Sequence, residues 1–465
     1  MNNPKNFFKY YFELILFSII ILKIQSNSDS KTLEIIAQFN VIKFNINSKE
    51  IECRNCMPAG IKLSNDGTIF CSFPRWYPDV IATFAKYNKE KKLFEPWPSL
   101  EMNQRFLNSD SSGLNSVLGF EIDKNDFLYI LDQGKITNKS ALENSTKLLK
   151  FQLDGTLLKQ YIFNKSIADP DNSFLNDVVI DQTRNRAYIS DSGNSNSKNI
   201  SDYKPGIIVL SLDESKNYLE VNRILINHSS VFPDESFWLH INKKPVKEKP
   251  MLTGVDGIAL SCNGDALYYC PLTGRMLYPI STKDIDKALN NKTYNIQVYD
   301  GFKKEASDGL LASSKGNLYM TGIETGSIYI SNEIEPDLLR FNYKDFDSFE
   351  GNISTMWPDT LAMHNGSLYF VTNQLNNFPD DINYINYINH KNGKYNFAIM
   401  RFSVGNDDSY IKGCSGFGNN WGIGSIIVWI CFAVIILIVL SFVLMGSNNQ
   451  EEVIDKHMNL GMKDE

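Results

Sequence analysis

Six times along the chain a short apolar strand runs through a tight polar turn into a second, aromatic-rich strand. The segments are 61–73 (IKLSNDGTIFCSF), 118–134 (LGFEIDKNDFLYILDQG), 176–193 (NDVVIDQTRNRAYISDSG), 256–274 (DGIALSCNGDALYYCPLTG), 308–326 (DGLLASSKGNLYMTGIETG) and 359–374 (DTLAMHNGSLYFVTNQ). A hairpin of this kind cannot bury its own apolar faces and must stack on its neighbours, and units repeating at roughly 40 to 50 residues or more read as propeller blades. An all-β, six-bladed β-propeller is therefore predicted.

Each unit alternates with period two and turns on residues that tolerate positive φ, most clearly at Asp66-Gly67, Asn263-Gly264 and Asn365-Gly366. Outer strands are expected at 147–152, 157–163, 206–212, 275–280, 294–299, 327–331 and 397–403. Either the last of these or 33–44 is expected to close the ring by pairing with the opposite terminus. The longer insertion 222–250 carries Phe232, Phe237, Trp238 and His240 and is placed to cap one face or to pack its own aromatics on the surface.

The ends have a different character. Lys5 and Lys9 precede the apolar core LILFSIIIL, and small polar residues follow it, so residues 1–28 read as a signal peptide. The propeller is assigned to 29–412. Residues 423–445 carry no charge and are long enough to cross a hydrocarbon core of about 30 Å as a helix. With 446–465 as a cytoplasmic tail, the expectation is a single-pass type I membrane protein whose propeller is extracellular or lumenal. Eight glycosylation sequons, at Asn138, Asn144, Asn164, Asn199, Asn227, Asn291, Asn352 and Asn365, fall on the lumenal side of that scheme.

A formal net charge of −7 argues against nonspecific nucleic-acid binding, which needs a basic surface. The seven cysteines include a Cys53-x-x-Cys56 pair, with no second Cys or His pair at zinc-finger spacing. That pair is expected to bridge to Cys71 or Cys414, and Cys262 and Cys270, on paired strands of one hairpin, to bridge elsewhere.

Aligning the six units puts Asn176, Asp256, Asp308 and Asp359 at one position, just before the inner strand, with Asp177 beside the first and Asn115 near the equivalent place in the second unit. The second strand ends on the same face at Asp132, Asp191, Glu324 and Asn373. Carboxylates gathered at one channel mouth repel each other unless protons, a cation or a positive ligand compensates. These ten residues are the candidate ligand-binding set. Asn176, Asp256 and Asp308 offer oxygen donors of the kind that suits Ca²⁺ or another divalent cation. The competing reading is that aspartates before a strand cap turns by accepting backbone N–H bonds. None of the five histidines has metal-ligand spacing, and neither a Gly-x-Ser-x-Gly elbow nor a phosphate-cradling glycine loop occurs.

The segments 58–76 (PAGIKLSNDGTIFCSFPRW), 116–134, 174–193, 252–278 (LTGVDGIALSCNGDALYYCPLTGRMLY), 306–322 and 357–375 resemble, in order, the major royal jelly protein and yellow family. The resemblance implies a six-bladed propeller. The family's members include dopachrome-converting melanin-pathway proteins, binders of biogenic amines and nutritional proteins. The shape is shared with gluconolactonase-like hydrolases that hold a divalent cation. The terminal membrane span departs from the typical secreted members. The leading expectation is a small organic ligand, an amine or catechol-like compound, paired with the acidic mouth and stacked on Trp76, Trp357 or Trp238. The alternatives are an enzyme, either a dopachrome-type isomerase or a metal-dependent lactonase, and a cell-surface interaction module.

Overall fold

Inner strands rich in β-branched and aliphatic residues, buried on both faces, begin each of six sheets. In the computed structural model the described residues are 33–105, 112–137, 139–193, 199–215, 218–241, 243–293, 296–299, 301–332, 357–377 and 395–415. The inner strands are Ile61–Leu63, Val117–Ile122, Leu175–Asp181, Val255–Leu260, Leu310–Ala312 and Trp357–His364, which open blades 1 to 6. Each inner strand contacts the next, and the sixth contacts the first, so the ring closes at six blades.

Every blade is an antiparallel meander from the axis outward. Blade 2 runs Val117–Ile122, Leu128–Asp132, Lys147–Phe151, Leu157–Ile162, and blade 3 runs Leu175–Asp181, Arg186–Asp191, Gly206–Ser211, Val221–Ile224. Blade 6 takes its outermost strand, Glu34–Phe39, from the other end of the chain, in register from Glu34 opposite Arg401 to Phe39 opposite Phe397. Both segments expected to close the ring do so, with each other. Blade 1 is extended outward by the hairpin Ile42–Ile46 and Lys49–Cys53.

The core lies between blades. Blades 1 and 2 meet through Phe84 and Phe120, edge to face at 4.7 Å, and through Trp97 and Phe151 at 5.3 Å. Such aromatic pairs bury large areas and fix the angle between neighbouring sheets.

Three sequence expectations are corrected. No strand occupies the described part of 294–299; a helix, Thr282–Asn291, follows the third strand of blade 4, and Phe302–Lys303 is the fourth. Buried Ile285 and Ala288 dock that helix on the blade, so the chain returns too late for a strand at 294. Cys53 and Cys56 bridge each other, and Cys262 bridges Cys414. Cys71 and Cys270 stay free, because both sit on second strands with their thiols buried in the core.

Among the described residues no helix is long and apolar enough to cross a membrane. Residues 1–28 and 423–445 lie outside the described residues, as do Asn138 and Asn352. The other six sequon asparagines are all exposed.

Candidate functional site

A repeated irregularity sets up the site. The pairing of inner and second strands shifts register between Val117 and Phe120, Leu175 and Val178, Val255 and Ile258, and Pro358 and Leu361. An extra residue in one strand bends it and re-aims a side chain. Asn176, Asp256 and Asp359 fall within these shifts, and Asp308 stands just before the inner strand of blade 5.

Second-strand hydroxyls support this geometry. Ser190 Oγ accepts from Asp177 N (3.0 Å) and donates to the Asp256 carbonyl of the next blade (2.5 Å). Ser72 Oγ does the same for Gly60 N (2.8 Å) and the Leu118 carbonyl (2.7 Å), and Thr321 Oγ1 accepts from Asp308 N and Gly309 N. These residues were missed from sequence, although each stands two positions after an aromatic: Phe70-x-Ser72, Tyr188-x-Ser190 and Tyr319-x-Thr321. Thr372, at the same offset from Phe370, has a buried Oγ1 with no hydrogen-bond partner among the described residues.

Four of the residues aligned from sequence form one buried group. Asn176 Nδ2 donates to Asp256 Oδ2 (2.6 Å), Asp256 and Asp308 are hydrogen-bonded, and Trp357 Nε1 donates to Asp308 Oδ2 (2.6 Å). Asp359 adjoins them and accepts from Asn373 Nδ2 (2.7 Å) and Thr360 Oγ1 (3.1 Å). Burial raises all three carboxyl groups. Asp256 and Asp359 stand well above the ordinary carboxylate range, each raised further by neighbouring Asp308. Burial lifts Asp308 to about 6, opposed by the Trp357 indole. Like charges this close share protons instead of ionising together.

Nearby Lys304 is half-buried, and its ammonium donates to the carbonyls of Pro271 (3.2 Å), Gly274 (3.1 Å) and Glu305 (3.0 Å). Its three donors are spent on the backbone.

The other aligned residues serve the loops. Asp132 accepts from Asn115 N (2.8 Å), Asn115 Nδ2 (3.0 Å), Ser116 N (2.9 Å) and Gly134 N (2.9 Å), and pairs with fully buried Lys147 at 3.5 Å. Asp191 accepts from Ser173 Oγ (2.7 Å), Phe174 N (2.7 Å), Gly193 N (3.0 Å) and Arg223 Nη1 (2.6 Å). Glu324 pairs with Arg275 and receives His240 N at 3.4 Å. Thus Asn115, Asp132, Asp191 and Glu324 tie down backbone and rim, the capping role that strand-end acids commonly take. Asp177, partly exposed, accepts from Val178 N (2.8 Å), and desolvation, aided by Glu121 and Asp308 and opposed by Lys62, lifts it to about 7.

Asn176, Asp256 and Asp308 do not fit a Ca²⁺ site as arranged. Two N–H donors occupy carboxylate oxygens, and the acids bond each other, whereas Ca²⁺ takes six to eight oxygens. Among the described residues no three His, Cys, Asp or Glu side chains make a metal-holding group. Nor is Trp357 a stacking surface, since it is fully buried; Phe237 and Leu239 of the 222–250 insertion share its cluster. Trp238 is exposed, and Trp76 stacks on Phe174 at 6.3 Å.

Residues 115–409, more than half of the chain, match the family model described as major royal jelly protein. The chain belongs to the major royal jelly protein family. It is similar to major royal jelly protein 5 of Apis mellifera, 28% identical over 283 residues that cover 58% of this chain and 43% of the relative. Major royal jelly protein 6 of Apis mellifera is 28% identical over 257 residues, covering 52% of this chain and 53% of that one. The chain thus spans about half the length of these family relatives. Among solved structures it is similar to a gluconolactonase from Xanthomonas campestris (TM-score 0.45, 9% identity, 81% of this chain and 90% of that one). A luciferin-regenerating enzyme is similar at TM-score 0.46 and 12% identity, covering 80% of this chain and 95% of that one.

Proposed function

We propose that the protein binds a small organic cation, an amine with an aromatic or catechol-like body, at the group formed by Asn176, Asp256, Asp308 and Asp359. The observation that carries this reading is three buried carboxyl groups, Asp256 and Asp308 hydrogen-bonded to each other and Asp359 interacting electrostatically with both, while the ammonium of neighbouring Lys304 donates to backbone carbonyls. A protonated amine replaces the shared protons and relieves the repulsion among the acids. The buried Thr372 hydroxyl, unpaired among the described residues, offers a further polar partner, and Phe237 and Leu239 of the insertion pack in one cluster with Trp357. In this reading the propeller is held at an extracellular or lumenal membrane surface by the 423–445 span and carries glycans on its exposed sequons.

Isothermal titration of the full chain with tyramine and dopamine tests it. Binding is expected to strengthen from pH 5 to pH 7.5 as the acids ionise, and Asp256→Asn is expected to weaken it about tenfold or more, the worth of one charge-assisted contact. No heat with either amine, or an unchanged affinity in the variant, overturns the proposal.

A further inference from the structure

At the hairpin end of the axis lies a crevice lined by Lys62, Leu63, Glu121, Leu311, Met363 and Ile411, with Asn65, Ile122, Asp123, Asp126, Ala362, His364, Ser409 and Lys412 completing its wall. Lys62 lies three residues along the inner strand from Ala59, the blade 1 counterpart of Asp256. At about 3.3 Å per residue that is roughly 10 Å from the carboxyl group described above.

The polar groups of this crevice are unequally spent. Glu121 accepts at Oε1 from Ile122 N (2.9 Å) and at Oε2 from Lys62 Nζ (3.2 Å) and Tyr410 OH (3.3 Å). Asp123 is occupied by Asn125 N and Phe127 N, and Asp126 by Asn65 N. The acids are therefore consumed by turns and by one ion pair. Lys62 is the exception. Its side chain is only 9% exposed, and among the described residues Glu121 is its one hydrogen-bond partner. An ammonium has three donors, and leaving two unpaired in a buried place carries a desolvation cost that an acceptor removes.

We propose that this crevice binds a small organic carboxylate, its head on Lys62 and its apolar body against Leu311, Met363 and Ile411. Burial holds the half-buried His364 imidazole below its ordinary value, and Lys412 adds positive charge at the wall. Asp177, whose charge interacts with both Lys62 and Glu121, favours ligand when it is protonated, so uptake strengthens as pH falls through neutrality. The amine reading predicts the opposite pH trend.

The test titrates the full chain with acetate, hexanoate and inorganic phosphate at pH 6.5. Hexanoate is expected to bind more tightly than acetate, because each buried methylene adds about 0.8 kcal/mol, or roughly threefold to fourfold. Phosphate is expected not to compete. The paired variant Lys62→Met with Glu121→Gln removes both charges without stranding either. It is expected to abolish hexanoate binding with the circular dichroism spectrum retained, while Glu121→Gln alone tightens binding several-fold. Asp256→Asn is expected to bind hexanoate as the natural chain does, so failure here is separable from failure of the amine reading. No hexanoate binding, unchanged affinity in the folded paired variant, or equal competition by phosphate overturns the proposal.

Discussion

Asp177 occupies an inner-strand position that is glycine in four other blades, Gly60, Gly119, Gly257 and Gly309, and Thr360 in the sixth. Burial lifts its carboxyl group to about 7; Lys62 and Val178 N oppose the lift, and Glu121 and Asp308 add to it. A folded value above the unfolded one means that the native state favours the protonated acid. The resulting stability is fully present below the unfolded pKa of about 4 and is lost as pH rises through about 7. Asp177→Asn, neutral at every pH, is therefore expected to leave the melting temperature unchanged at pH 4 and to raise it by about 1–3 °C at pH 8. Scanning calorimetry at both values checks this, and equal shifts would refute it. Among single residues, Asn176, Asp256, Asp308 and Asp359 were legible in the sequence because they recur at one place in a repeat. Lys62, Glu121 and Tyr410 were not. A lone charge in a buried strand repeats nowhere, and the tyrosine arrives from a segment far away in sequence to bond Glu121 and Ile180 N. Asp132 and Asp191 recur in type and position as well, but repetition does not show that their side chains bond the loops before the inner strands and buried Lys147 or Arg223.

Inner strands approach so closely that a methyl at Gly309 would lie 2.3 Å from the Asp359 carbonyl, and one at Gly257 2.6 Å from that of Asp308. The obstruction is backbone, so rotamer changes offer no relief and a strand must move. Overpacking of this kind costs about 1–3 kcal/mol. Gly309→Ala is expected to lose that much stability in urea unfolding and, by displacing adjacent Asp308, to weaken amine binding as well. A variant as stable as the natural chain would show that the strands have room to part. At this scale the hairpins were readable because alternation and turn chemistry agree. The helix Thr282–Asn291 was passed over because its 10 residues leave only Thr282, Ile285 and Ala288 buried, a pattern too sparse to stand out among strands.

The whole ring is fastened twice. The amino-terminal strand completes blade 6, where Glu34 pairs with Arg401 at 2.7 Å. Beyond that blade the chain crosses the hairpin face. Buried Asp407 accepts from Asn317 Nδ2 (2.8 Å) and Tyr319 OH (3.0 Å) of blade 5, and Cys414 is bonded to Cys262 of blade 4. Repetition revealed the ring, but not this latch, because a crosslink between a turn and a tail follows no repeat. The Cys262–Cys414 bond joins residues 152 apart, whereas Cys53 and Cys56 are 3 apart. Chain entropy removed from the unfolded state grows with the logarithm of the closed loop, and native crosslinks are typically worth about 2–4 kcal/mol. Replacing Cys262 and Cys414 together by serine is therefore expected to cost about that much in urea unfolding, and the Cys53 and Cys56 pair clearly less. Ser409, Ile411 and Lys412 wall the crevice around Lys62, so the first variant is also expected to lose hexanoate affinity while keeping its response to amines. Equal destabilisation by the two serine pairs would mean that the long crosslink does not restrain the ring, and intact hexanoate binding would mean that the tail holds its place without it.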